Sequence, residues 1–327
     1  MTAPAPRSVR LFVPRRPTAP ADLSALPALR RLLSRARVSW SAEPGLYPKL
    51  LRAFGVHRQG DWPFAAFSWL GDEGTRDAAY RLRADPVHLR ADRDALVLTD
   101  AREFPLAAHE AAQLVDALNA HFERDGLRFA APVPSRWYVT VADTPEIATQ
   151  PLDLALGRNV DALLPNGADA LVWHRYFNEI QMLFHAHPVN ATREEAGQPA
   201  INSVWFWGGG VLPGQTLAPP SALWADDPVA RGLAIAAGAQ PLRTPANFPA
   251  WLAQSASGKH AIWLDASESR RGRLENDWFA PLLEALRARM IARASLALGD
   301  AAGVLCFELT PADLWKFWSS AALPGLS

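Results

Sequence analysis

The chain has 327 residues, 49% hydrophobic and 20% charged, which is material for a sizeable core in one large domain or two smaller ones. Thirty-three basic residues balance thirty-three acidic ones, so no global field favours nucleic acid or an anionic membrane, and neither is expected as a partner. The single cysteine, Cys306, excludes an intrachain disulfide and a thiolate metal cluster. Inside the apolar run Val304 to Phe307 it reads as a small buried hydrophobe. Arg15-Arg16 is followed by no apolar stretch of the kind a signal peptide carries, and no run is long and apolar enough to span a bilayer. The expectation is a cytoplasmic protein.

From the N-terminus, Val9 to Val13 reads as a short strand. Asp22 or Ser24 can cap a helix carrying Leu26, Leu29, Leu32 and Leu33, with Pro27 in its first turn, where a missing N–H does little harm. That helix ends before Val38, and Glu43 to Asp72 is aromatic and turn-rich. Arg81 to Arg90 and Asp94 to Thr99 read as a paired strand unit, Ala107 to Phe122 as a helix and Arg136 to Val141 as a strand. This mixture suggests an α+β unit. A long loop from Thr149 to Gly167 leads into the most informative stretch, Trp173 to Gly210. There Trp173, Phe177, Ile180 and Phe184 recur at helical spacing, with a polar stripe of His174, Asn178, Gln181 and His185 beside them. Burying that stripe without partners costs desolvation, so it is expected to face water or a ligand at a domain junction. The helix should stop at His187, before Pro188. A polar loop, a strand from Asn202 to Trp207 and a turn at Gly208, Gly209 and Gly210 follow.

Downstream, Ala225 to Ala237 and Phe248 to Ser255 read as helices, Lys259 to Leu264 as a strand, and Trp278 to Leu298 as one long helix. Gly303 to Leu309 is a strand, and Thr310 with Pro311 opens a final helix through Trp318. Alternating strands and helices favour a parallel α/β layer. The reading is an α/β core sheet drawn from residues 1–74 and 206–327, with an inserted α+β domain over 75–205.

Several residues invite a functional reading. His185, His187, Asn190 and Arg193 can form an anion-binding cluster with backbone N–H groups near Gly208, because small anions bind where amides converge with a forked arginine. Equally, His-Pro-Val-Asn can be a helix stop, and the glycines can permit tight packing under the tryptophans. The pair His185 and His187 lacks a third ligand at familiar metal spacing, so no zinc site is expected. Ser203 and Ser221 lack a nucleophile-elbow pattern. Arg270, Arg271 and Arg273 read as solvated surface, and Trp315, Phe317 and Trp318 around Lys316 as a packed helix rather than a base-stacking platform.

HPVN, followed by Arg193 and INSVWFWGGG, resembles the RpfE-type regulatory protein family. It is more distantly similar to the archaeal-type cofactor-independent phosphoglycerate mutases, whose corresponding strand reads close to AN-x-x-W-x-W-G-x-G. LRADPVHLRAD, AAHEAAQLVDALN and RWYVTV follow that mutase's inserted domain in order, and SALWADDPVARGLAIAAG resembles its helix returning to the core. The resemblance implies an alkaline-phosphatase-like core, and Asn202 and Gly209 are counted with the candidate ligand-binding positions. It also implies chemistry with two divalent metals around a serine or threonine nucleophile, held by Asp and His at strand ends. Here the first strand ends in Phe12-Val13-Pro14-Arg15-Arg16. Asp265 follows Ala261 to Leu264 without an Asp-His pair, and Glu308-Leu309-Thr310-Pro311 stands where Asp-His would be. The chain is therefore expected to hold no metal or other cofactor, to offer no assignable catalytic residue, and to serve in binding or regulation. Its expected ligand is a small phosphorylated or carboxylic acid. The alternatives are an active phosphoglycerate mutase or phosphohydrolase, and a protein–protein adaptor using its tryptophans.

Overall fold

The computed structural model describes residues 6–14, 23–92, 95–101, 103–214, 217, 220–264 and 273–315. In chain order the first elements are β1 (Ser8–Val13), α1 (Pro27–Arg35), β2 (Arg37–Ser41), α2 (Tyr47–Ala53), α3 (Phe64–Glu73), β3 (Arg81–Asp92) and β4 (Ala95–Asp100). Next come α4 (Ala108–Phe122), β5 (Leu127–Val133), β6 (Arg136–Val141), β7 (Ile147–Ala148), α5 (Leu152–Ala155), β8 (Asn166–Gly167), α6 (Ala170–His185) and α7 (Pro188–Glu195). The last are β9 (Ser203–Gly210), β10 (Ala222–Trp224), α8 (Pro228–Ala236), α9 (Phe248–Gln254), β11 (Lys259–Trp263), α10 (Ala280–Arg287), β12 (Arg293–Asp300) and β13 (Gly303–Leu309). They form two compact units, 1–56 with 216–327, and 57–215. The joins read from the sequence at 74/75 and 205/206 both fall inside the second unit. There α3 packs on β3 and β9, and β9 is hydrogen-bonded to β3.

In the first unit a six-stranded sheet runs in the order β10-β11-β1-β12-β13-β2, so it takes strands from both ends of the chain. The strands β10, β11, β1 and β12 are parallel, while β13 returns antiparallel to β12 and pairs antiparallel with β2. Alternate residues Val9, Leu11 and Val13 of β1 pack with Leu296 and Leu298 of β12 against Leu29, Leu32, Trp251, Leu282 and Leu286 of the helices. Such two-residue alternation gives each strand one face buried under helices.

Three readings change here. Residues 293–298, expected in a long helix, are the first six residues of β12, and the helical stretch is a π turn (Glu275–Phe279) followed by α10. Arg289, at φ 55, breaks the helix, and the alternation of Ala294, Leu296 and Leu298 then fills a place beside β1. Tertiary pairing has overridden the helix propensity of alanine and leucine. Second, α1 has no side-chain cap of its own. The carboxylate of Glu275, 247 residues away, accepts from the Ala28 N–H and, at 3.3 Å, from the Leu29 N–H. Asp22 lies outside the described residues. Third, the segment Glu43 to Asp72, read as turn-rich, holds α2 and nearly all of α3, and the edge strand β2 precedes it.

The second unit contains the sheet β4-β3-β6-β5 with β9 on the other edge of β3. Its core joins Leu114, Leu118 and Phe122 of α4 to Trp137 of β6 and Ile180 and Phe184 of α6. The α6 stripe Trp173, Phe177, Ile180 and Phe184 is buried as its spacing predicts, and Tyr176 joins it. Of the neighbouring polar stripe, Asn178 and His185 are exposed, and His174 Nε2 meets the Pro165 carbonyl at 2.7 Å. The polar loop expected after His187 is instead α7. Pro188, which stops one helix, occupies the first turn of the next, and His187 becomes its cap. The glycines 208–210 lie within β9, all eight of whose residues are buried, rather than in a turn.

Candidate functional site

The residues expected to bind an anion are brought together in the second unit, but as a packing unit. Arg193 is 1% exposed. Its Nε donates to the Pro199 carbonyl at 2.8 Å, and Nη1 to the Pro105 carbonyl at 3.1 Å and to both Glu110 carboxylate oxygens at 3.0 and 3.1 Å. Glu110 in turn accepts from the Ala107 N–H at 2.8 Å, so it caps α4 while neutralising the arginine. Asn190 is buried, donating to the carbonyls of Phe184 and Ile201 and accepting from the Ile201 N–H. Asn202 accepts from the Leu89 N–H and donates to the Leu89 carbonyl, extending the ladder with a side chain. His187 Nδ1 accepts from the Val189 N–H at 3.2 Å, and burial lowers its pKa. His185 stays exposed, away from this set of bonds.

The glycines are equally committed. Gly208 has φ +70, and a Cβ there would meet the Phe64 Cβ at 2.9 Å, while one on Gly209 would strike the Tyr80 hydroxyl. The Gly208 N–H donates to Thr149 Oγ1 at 2.9 Å, and that hydroxyl donates to Asp61. Burial raises the pKa of Asp61 despite these bonds, and desolvation, with the charge of Asp61, pushes Tyr80 up to about 12. A second internal network centres on Asp85. It accepts from Arg83 Nε at 3.1 Å, Trp207 Nε1 at 2.7 Å and the Trp137 N–H at 3.3 Å, and burial raises its pKa too. Sequence reasoning missed Glu110, Thr149 and Asp61, since nothing local marks a carboxylate that will meet an arginine 83 residues on.

The other place where chemistry gathers in such folds is the carboxyl edge of the parallel strands. In the first unit that edge carries an aromatic stack: Tyr47 lies on Trp263 at 4.9 Å and 9°, and Phe12 on Trp263 at 6.0 Å. The Tyr47 hydroxyl donates to Asp227 Oδ2 at 2.7 Å, while Asp227 Oδ1 accepts from the Ala230 N–H at 2.9 Å and caps α8. At the end of β12, Asp300 Oδ1 accepts from the Ala302 N–H at 2.8 Å. Asp226 is exposed. Because β13 is antiparallel to β12, Glu308 and Thr310 sit at the opposite edge of the sheet. The expectation that they stand where an Asp-His pair would be at that edge is therefore corrected, since the neighbouring strand that ends there is β12. Arg15, Arg16, Asp265, Arg270, Arg271, Lys316, Phe317 and Trp318 lie outside the described residues.

No family model matches the chain. Over 111 residues it is 28% identical to the 2,3-bisphosphoglycerate-independent phosphoglycerate mutase of Methanosarcina mazei, a match covering 33% of this chain and 28% of that protein. Over 173 residues it is 24% identical to the enzyme of the same name from Methanosarcina acetivorans, covering 50% and 43%. The chain is a distant homologue of the archaeal-type cofactor-independent phosphoglycerate mutases. It matches less than half the length of these curated relatives. Among solved structures, the PH0037 protein from Pyrococcus horikoshii shares the fold, with a TM-score of 0.52 at 12% identity over 94% of this chain and 88% of that one.

Two-metal phosphoryl transfer draws on clustered imidazoles and carboxylates, and among the described residues no such cluster stands at the strand ends of the first unit. Seven of the chain's eight histidines lie between residues 57 and 187, in the second unit. The eighth, His260, neighbours Val9 on the helix-covered face of the sheet, with its ring nitrogens against Trp224 Nε1 at 3.3 Å and the Ala256 carbonyl at 3.0 Å. Among the described residues no three His, Cys, Asp or Glu side chains gather to hold a metal. Nor, among them, is any helix long and apolar enough to cross a membrane.

Proposed function

We propose that this chain is a binding or regulatory relative of the cofactor-independent phosphoglycerate mutases that works without two-metal phosphoryl transfer. One observation carries the reading: the unit holding the central sheet has a single histidine, and it sits on the helix-covered face, not at the strand ends. Two-metal catalysis needs both ions clamped by a preformed donor set. The Tyr47–Asp227 pair and the cap of α8 occupy part of that edge instead. The resemblance carried by the HPVN and INSVWFWGGG segments further supports a regulatory protein of the RpfE type.

A second reading, an active mutase or phosphohydrolase, is favoured by one feature, the carboxylate of Asp265 immediately after β11 and Leu264 in the chain. Elemental analysis of protein purified without chelators, alongside a phosphoglycerate mutase assay with added Mn and Mg, separates the two. The expected result is no stoichiometric metal and no turnover. Two metals per chain, or metal-dependent turnover, establishes the second reading.

A further inference from the structure

Parallel sheets are normally covered by helices on both faces. In the first unit the face opposite α1, α9 and α10 is only partly covered, and it opens into a cleft of about 670 Å³ lined wholly by that unit. Strand register defines its floor. Ser8 of β1 is paired with Lys259 of β11 on one side and Arg293 of β12 on the other, which places two cations astride one hydroxyl. Their Cα atoms are two strand spacings apart, about 10 Å. In the next row Arg10 stands between Ala261 and Ser295, and its Nε donates to Ser295 Oγ at 3.2 Å. The polar part of the floor is thus Ser8 and Ser295 with Ala261, set among three long cations, while Phe12, Leu50, Ala53 and Phe54 line the rest of the cleft.

Three cations face a single acid among the lining residues: Glu308, whose carboxylate is 3.7 Å from Arg293 Nη1. That separation leaves the arginine weakly held, and Lys259 Nζ has no partner among the described residues. A cation ring over a hydroxyl floor suits a ligand with several closely spaced negative charges, because each phosphate can take a charged donor while the hydroxyls meet the remaining oxygens.

We propose that this cleft binds a small anion of the diphosphate class. Ser8, Lys259 and Arg293 are the first residues of their strands, at the end of the sheet away from the carboxyl edge, and the proposal stands whether or not that edge ever holds metal. Calorimetry on the full chain in chelator-containing buffer, with inorganic pyrophosphate and with ADP, tests it, since a chelator silences any metal-dependent phosphate site. Single-site binding of at least one of them is expected, weakened at least about tenfold by Arg10→Gln and by Lys259→Gln, the usual effect of losing a charged hydrogen bond. Equal affinity for both ligands assigns recognition to the diphosphate alone, and tighter ADP adds a nucleoside contact. Ser295→Leu, which fills the floor without changing charge, should abolish binding while circular dichroism stays native. Arg128→Gln, on an exposed arginine of the other unit, should leave affinity unchanged. Absence of binding to either ligand by the wild type, or equal weakening by Arg128→Gln, overturns the assignment.

Discussion

Arg193 stands where the sequence suggests a ligand anchor, yet its guanidinium is 1% exposed and bound to Glu110, Pro105 and Pro199, with its carbon over the Phe104 ring at 5.6 Å. Truncating it in Arg193→Ala leaves the Glu110 carboxylate facing a void and two carbonyls without donors. Removing one partner of a buried ion pair costs about 3–5 kcal/mol. Domains of this kind have about 5–15 kcal/mol in total, so the loss should be plain. Urea unfolding followed by tryptophan fluorescence is the assay, and the midpoint should fall with the slope unchanged. Arg193→Lys keeps the charge but not the fork, and should recover only part of the loss. A double-mutant cycle with Glu110→Ala should return a coupling of about 1–3 kcal/mol, the range for residues in contact. If Arg193→Ala lay within about 1 kcal/mol of wild type, the packing role argued for this side chain would be refuted, and its guanidinium would again be a candidate for ligand binding.

Glu275→Ala should destabilise the chain by about 1–3 kcal/mol, because the Ala28 and Leu29 N–H groups of α1 lose the carboxylate that accepts from them, whereas Glu275→Gln should cost less; urea midpoints compare the two. His187 has a folded pKa below its ordinary 6.5, so its contribution is whole above that value and is lost as pH falls from 6.5 toward the folded pKa, where the unfolded chain takes up the proton first. Protonation of Nδ1 also removes the acceptor that caps α7. The variant His187→Asn, a good cap with no titration, should therefore show a flatter stability profile across that window, and identical slopes in the two proteins would rule out this cap as the cause.

What could be read from the sequence alone was whatever depends on neighbours in the chain. The buried stripe of α6, the helix α4 and the strands β1 and β6 follow from apolar spacing of 3.6 or 2 residues, and β11 from a short apolar run, all of which reflect local geometry. The mutase relationship was carried by short segments for the same reason. Tertiary structure decided the rest. Arg293–Asp300 became a strand because β1 and β13 flank it and offer a ladder on both sides, which its alanines and leucines do not announce. The cap of α1 came from Glu275, and the partner of Arg193 from a helix 83 residues earlier. Gly208 was needed for its positive φ and for room beside Phe64, not for a turn. The three cations of the open sheet face are polar members of ordinary alternating strands until strand order places β11, β1 and β12 side by side. Periodicity records which face of an element is buried; which residues meet across the fold depends on chain closure over distances that no local window spans.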